Sequence, residues 1–213
     1  DSLSNENVEA LLKGYENLQK HIENVKSYGI PYVVAINKFP TDTKEEVEAL
    51  FNRCKEDGHE VYESDVYTKG GDGAIELAHA VSRLVNNDST LKYCYDLKDS
   101  IKDKIFKIAT TIYGARSVIY SDEANEQIKT FEKLGFKEAF VCMAKTPNSL
   151  SDDPKVVGRP RDFDITVREV RLSSGANFIV PLTGTIMKMQ GTPKAPAANK
   201  IDIEKDGTIV GLF

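Results

Sequence analysis

An apolar run, Tyr32-Val33-Val34-Ala35-Ile36, breaks into Asn37-Lys38-Phe39-Pro40, which sets an aromatic ring and an amine at the end of a predicted strand. Open α/β sheets bind their ligands at strand ends of this kind. A second run, Val66-Tyr67-Thr68-Lys69-Gly70-Gly71-Asp72-Gly73, repeats the arrangement: an aromatic, a lysine, then glycines leading into a helical pattern. If Phe39 and Tyr67 project over one crevice, they could sandwich a planar heterocycle, each face adding about 1 kcal/mol beyond area burial. Lys38, Pro40, Lys69, Gly70 and Gly71 are the candidates for the rest of that ligand. Lys69 is the stronger lysine, because it directly precedes Gly70-Gly71, where main-chain donors and an ammonium could share one anion. Asp72 argues against a phosphate at that spot unless a cation intervenes. The competing reading is plain: most loop lysines are solvated, and most phenylalanines serve packing.

Other chemistries find less support. Asn37-Lys38-Phe39-Pro40 resembles the Asn-Lys-x-Asp element of GTP-binding proteins, but Pro40 stands where the base-reading carboxylate belongs. No Gly-x-x-x-x-Gly-Lys-Ser/Thr run occurs in the 213 residues, which excludes a self-contained GTPase. The stretch Ser149-Leu150-Ser151-Asp152-Asp153-Pro154 reads as a turn whose side chains satisfy the backbone. No His or Cys lies near its acids to complete a metal site, so no metal is expected. His21, His59 and His79 read as structural or surface residues, no Gly-x-Ser-x-Gly occurs, and no residue is assigned a catalytic role.

The elements must hold those two loops. Apolar positions at Val8, Leu11, Leu12, Tyr15, Leu18, Ile22 and Val25 predict one helix, ended by Gly29. The strand Tyr32–Ile36 is almost purely apolar, as in a parallel sheet buried on both faces. A helix capped by Thr41 or Thr43 and stopping near Gly58, then a strand over His59–Ser64, completes a right-handed parallel unit. A helix over Gly73–Val85 would place the glycines at its N-terminus, where free N–H groups favour anions. A further helical pattern spans Leu91–Ile112. After the turn signal Tyr113-Gly114-Ala115 come a strand at Ser117–Tyr120, a helix at Asp122–Leu134 and a strand at Ala139–Ala144. Two more strands are expected at Phe163–Val170 and Asn177–Val180. The fold class is therefore α/β, with a first region over 1–112 and a smaller α/β domain over 113–213.

Composition narrows the setting. The chain is 40% hydrophobic, enough for one large domain or two small ones. A net charge of -5 without a basic stripe argues against nucleic acid. Three cysteines, far apart and odd in number, suggest reduced thiols and the cytosol. No apolar stretch approaches the ~20 residues of a membrane span, so no membrane partner is expected. The chain starts at Asp1, without a methionine, and reads as a piece of something longer.

Taken together, several stretches resemble the formate–tetrahydrofolate ligases: 33–42, Lys69-Gly70-Gly71-Asp72-Gly73, Cys142-Met143-Ala144-Lys145-Thr146, and Ser149 through Pro154. Thr166 through Ser173, Phe178 through Gly184, and the ending from Pro196 to Phe213 extend the match over essentially the whole chain. The resemblance implies a C-terminal fragment of a parallel P-loop-type sheet with flanking helices, followed by a small α/β domain. Family members make formyl phosphate from ATP and formate, then transfer the formyl group to N10 of tetrahydrofolate.

For this chain the resemblance implies the folate half of that site, with the pterin between Phe39 and Tyr67. The family commonly carries tryptophan at the position of Tyr67, so a smaller stacking face is implied here. ATP would be bound through a phosphate loop absent from these 213 residues, in a missing N-terminal region of the same enzyme. A homo-oligomeric, cytoplasmic enzyme is implied, with the chain by itself inactive. The alternative is a non-catalytic, stand-alone folate-binding or interaction module. A reading frame that continues upstream of Asp1 into a P-loop segment would decide against it.

Overall fold

The computed structural model describes residues 5–184 and 195–211. Asp1 and the closing Leu212-Phe213 used above lie outside the described residues. Helix α1 (Val8–Ser27) starts at Asn7, whose side-chain oxygen accepts from the Ala10 N–H at 2.9 Å. Its apolar stripe buries Tyr15 and Ile22, and Gly29 (φ +70°) ends it where the distant stretch around Thr90 packs so close that a Cβ would sit 2.6 Å from the Thr90 carbonyl oxygen. Strand β1 (Val34–Asn37), helix α2 (Lys44–Glu56) and strand β2 (Val61–Ser64) follow, with Thr43 and Glu46 closing a capping box on α2.

The two strands pair in parallel, Val34 opposite Val61 and Asn37 opposite Ser64. Val34, Ile36 and Val61 form a core with Tyr15, Ile22 and Cys54. The expectation of a strand buried on both faces is met on one: Ala35 and Asn37 are exposed, because α1 and α2 both meet the face of Val34 and Ile36. A single helical turn, α3 (Val66–Lys69), a 3-10 segment at Gly70–Ala74 and helix α4 (Ile75–Val85) complete this part.

The helix expected over 91–112 is shorter. Helix α5 (Ile101–Ile108) begins at a Ser100 cap and ends in a wider turn at Ala109–Tyr113. Upstream, Asp96 and Asp99 accept from the main-chain N–H groups of Lys98 and Asp96, and such local bonds compete with helix. Strand β3 (Ser117–Tyr120) and helix α6 (Asp122–Lys133) match their expected places, with Gly135 at φ +90° after the helix. Strand β4 is only Phe140–Val141, extended by an isolated bridge at Ala144.

Strands β5 (Asp164–Ser173) and β6 (Phe178–Thr183) finish a four-stranded sheet of order β3-β5-β6-β4. The β5–β6 pair is antiparallel and the other two pairs are parallel, so this sheet is mixed and the fold is mixed α/β. A bulge between Val167 and Glu169 shifts the inward phase of β5, so Ile165, Val167 and Val170 are all buried. Ile101 and Ile105 of α5, Ala124 and Ile128 of α6, and Val167, Val170 and Ile179 of the sheet form the second core. Strands β7 (Asp202–Ile203) and β8 (Ile209–Val210) form a small hairpin.

Helix α1 belongs to both parts. Lys20 Nζ donates to the Thr111 carbonyl at 2.7 Å, Asn24 Nδ2 to Ile112 at 2.8 Å, and Asn17 Nδ2 to Gly158 at 2.8 Å.

Candidate functional site

The end of β1 is fixed by main-chain geometry. The Lys38 N–H donates to the Ser64 carbonyl at 3.0 Å, the last rung between the strands. Immediately after it, the Phe39 N–H donates to Asp42 Oδ2 at 2.8 Å and the Asp42 N–H returns to the Phe39 carbonyl at 3.0 Å. That reciprocal turn satisfies the backbone without using the ring, and Phe39 stands 55% exposed. Pro40 follows on the exposed turn, and Lys38 Nζ lies 3.3 Å from Glu63 Oε2.

Beyond β2 the chain closes a second loop. The Asp65 N–H donates to the Gly73 carbonyl at 2.9 Å, and a Cβ at position 73 would lie 2.2 Å from the Asp65 carbonyl oxygen. Only glycine allows that approach. Tyr67 sits on α3 rather than within the glycines, and is 78% exposed. Lys69 pairs with Asp65 Oδ2 at 3.0 Å, and hydrogen bonds from Lys69 and Thr68 hold the Asp65 carboxyl below its ordinary value. Gly70 takes φ +60°, ψ -144°, a backbone open to glycine, and Gly71 follows it into the 3-10 segment.

Because Asn37 lies opposite Ser64 in a parallel pair, both loops leave the same end of adjacent strands. Phe39 with Lys38 and Pro40 belongs to one loop; Tyr67 with Lys69, Gly70 and Gly71 belongs to the other. Both lysines are held by carboxylates, Glu63 and Asp65, that sequence reasoning missed. The Asp65–Lys69 spacing of four was a readable signal. Asp42, three residues after Phe39, was another.

A cleft of about 660 Å³ lies beside β2, between Phe51 and Lys55 of α2 and the stretch Asp72–Glu76. Phe39 and Tyr67 do not line it. His59 is nearly buried against the Tyr32 hydroxyl, while His21 and His79 are exposed. The Ser149–Pro154 turn satisfies its own backbone as expected: Ser149 Oγ accepts from the Ser151 N–H at 2.9 Å, and Ser151 Oγ from Asp153 at 3.1 Å. At its centre the Lys145 ammonium donates to the Thr146, Ser149 and Ser151 carbonyls and lies 5.0 Å from the Tyr113 ring centroid. Burial pushes that lysine below its ordinary value. No group of three or more potential metal ligands occurs among the described residues.

The chain is thus a mixed α/β protein with two exposed aromatics just beyond the carboxyl ends of a parallel strand pair. Among protein families, the model of formate–tetrahydrofolate ligases matches residues 1–213. The chain belongs to that family.

Proposed function

We propose that this chain supplies the folate-binding side of a ligase that joins formate to tetrahydrofolate at the expense of ATP. The observation that carries the reading is the pair of exposed rings, Phe39 and Tyr67, on loops leaving one end of β1 and β2. A pterin between them would gain about 1 kcal/mol per face beyond burial. The two turns that carry them are already closed, one by Asp42 and the other by the Asp65–Gly73 pair.

In the proposed reaction, ATP phosphorylates formate to formyl phosphate, and N10 of tetrahydrofolate then attacks the polarised formyl carbon and expels phosphate. The 213 residues hold no Gly-x-x-x-x-Gly-Lys-Ser/Thr cradle, so nucleotide binding falls to another segment. The role of this chain is to hold the pterin flat and aim N10. Lys38, Pro40, Lys69, Gly70 and Gly71 border that position. Used alone, the chain is expected to bind tetrahydrofolate and to give no ATP-dependent product.

Tetrahydrofolate titrated into the chain by calorimetry tests the proposal. Phe39→Ala and Tyr67→Ala should each weaken binding at least about fivefold while leaving the far-ultraviolet spectrum unchanged. Saturable binding that survives both substitutions would refute the stacking role. Binding that appears only when the nucleotide-binding segment is added would place the clamp's completion there.

A further inference from the structure

The outward edge of β2 is a bare strand edge facing the cleft beside it. Toward β1 the ladder uses the Glu60 and Ser64 carbonyls, which accept from Val34 and Lys38 at 2.9 and 3.0 Å. In a parallel pair alternate residues face alternate sides, so the N–H and C=O groups of Val61 and Glu63 point away from β1. Nothing among the described residues hydrogen-bonds to those main-chain groups. The opposite wall of the cleft is Asp72–Glu76, pinned at one end where the Asp65 N–H meets the Gly73 carbonyl.

We propose that this edge receives an extended, basic segment of a protein partner as an added strand. Unlike the pterin loops, it lies along the side of β2 rather than at its end. Val61-Tyr62-Glu63-Ser64 is short and carries one charge, Glu63, but has no proline, lysine or bulge to blunt its edge. Main-chain pairing supplies affinity in such complexes and the flanking side chains supply selection.

Selection here is for cations. Glu60, Glu63, Asp72 and Glu76 line the cleft against the single ammonium of Lys55, which lies 4.5 Å from the Phe51 ring centroid. Arg83 bonds Glu60 at 2.8 Å and Lys38 pairs with Glu63 at 3.3 Å. Asp72 and Glu76 have no ion pair among the described residues, so they are the charges a basic strand would meet. Ile75, 47% exposed, and Phe51 give apolar contact for the alternate side chains.

The test is fluorescence anisotropy of a labelled Lys-Val-Lys-Val-Lys-Val peptide with the full chain. Saturable binding is expected, at least about tenfold weaker for the Glu-Val repeat, since each misplaced charge costs up to ~1 kcal/mol. Methylating alternate peptide nitrogens should weaken the basic peptide about fivefold by removing strand hydrogen bonds, a readout independent of protein folding. The Asp72→Asn, Glu76→Gln double variant should weaken it about threefold with an unchanged melting temperature. Equal binding of the two repeats, indifference to methylation, or no saturation by about 1 mM would each overturn the proposal.

Discussion

His59 shows how one side chain can carry a pH dependence that has nothing to do with catalysis. It is nearly buried, with Nδ1 3.0 Å from the Tyr32 hydroxyl. Burial first, then the nearby charge of Lys26, pushes its imidazole below the ordinary value, while Asp57 opposes them. The unfolded chain therefore binds the proton more readily than the folded one. The stability this neutral histidine contributes is whole above about pH 6.5 and is lost as pH falls through its depressed folded value. Urea midpoints should fall from pH 7 to pH 5 in the parent chain and change less in His59→Gln. An equal slope in both would refute the assignment. At this scale the sequence was informative about exposed groups: Phe39 and Tyr67 announced themselves by type and by the strand ends beside them. Their partners Glu63 and Asp65 were harder to see, because which acid meets which lysine depends on strand register.

Among the elements, the turn from β2 into α4 depends most sharply on one residue. Gly73→Ala would drive a methyl into the Asp65 carbonyl, 2.2 Å from the ideal Cβ position, and break the closure that positions α3 and Tyr67. The expected cost is roughly 1–3 kcal/mol in thermal or chemical unfolding, with weaker tetrahydrofolate binding than Gly175→Ala on the β5–β6 turn, whose Cβ meets nothing within 4 Å. Equal effects of the two substitutions would count against the closure. Several elements were legible: α1, β3 and α6 fall in their expected places, and of the two cap candidates, Thr41 and Thr43, it is Thr43 that closes the box on α2. The stretch before α5 was not, because Asp96 and Asp99 turn apolar-rich sequence away from helix through local bonds. Nor was the mixed sheet, since the antiparallel pairing of β5 with β6 is a choice of neighbour that periodicity does not encode.

For the whole molecule, α1 is the shared wall. Its apolar stripe joins the core of β1 and β2, while Lys20 and Asn24, both buried, reach the carbonyls of Thr111 and Ile112. Removing both donors leaves those carbonyls unmatched, so Lys20→Ala with Asn24→Ala should cost about 2–4 kcal/mol. Amide hydrogen exchange should quicken on both sides of α1 at once; quickening confined to α1 would show that the helix does not couple them. No helix among the described residues is long and apolar enough to cross a membrane. A wall shared by both parts also ties their melting together. Calorimetry should therefore register one heat-capacity peak, with calorimetric and van't Hoff enthalpies that agree; two separate peaks would show that α1 does not join the parts.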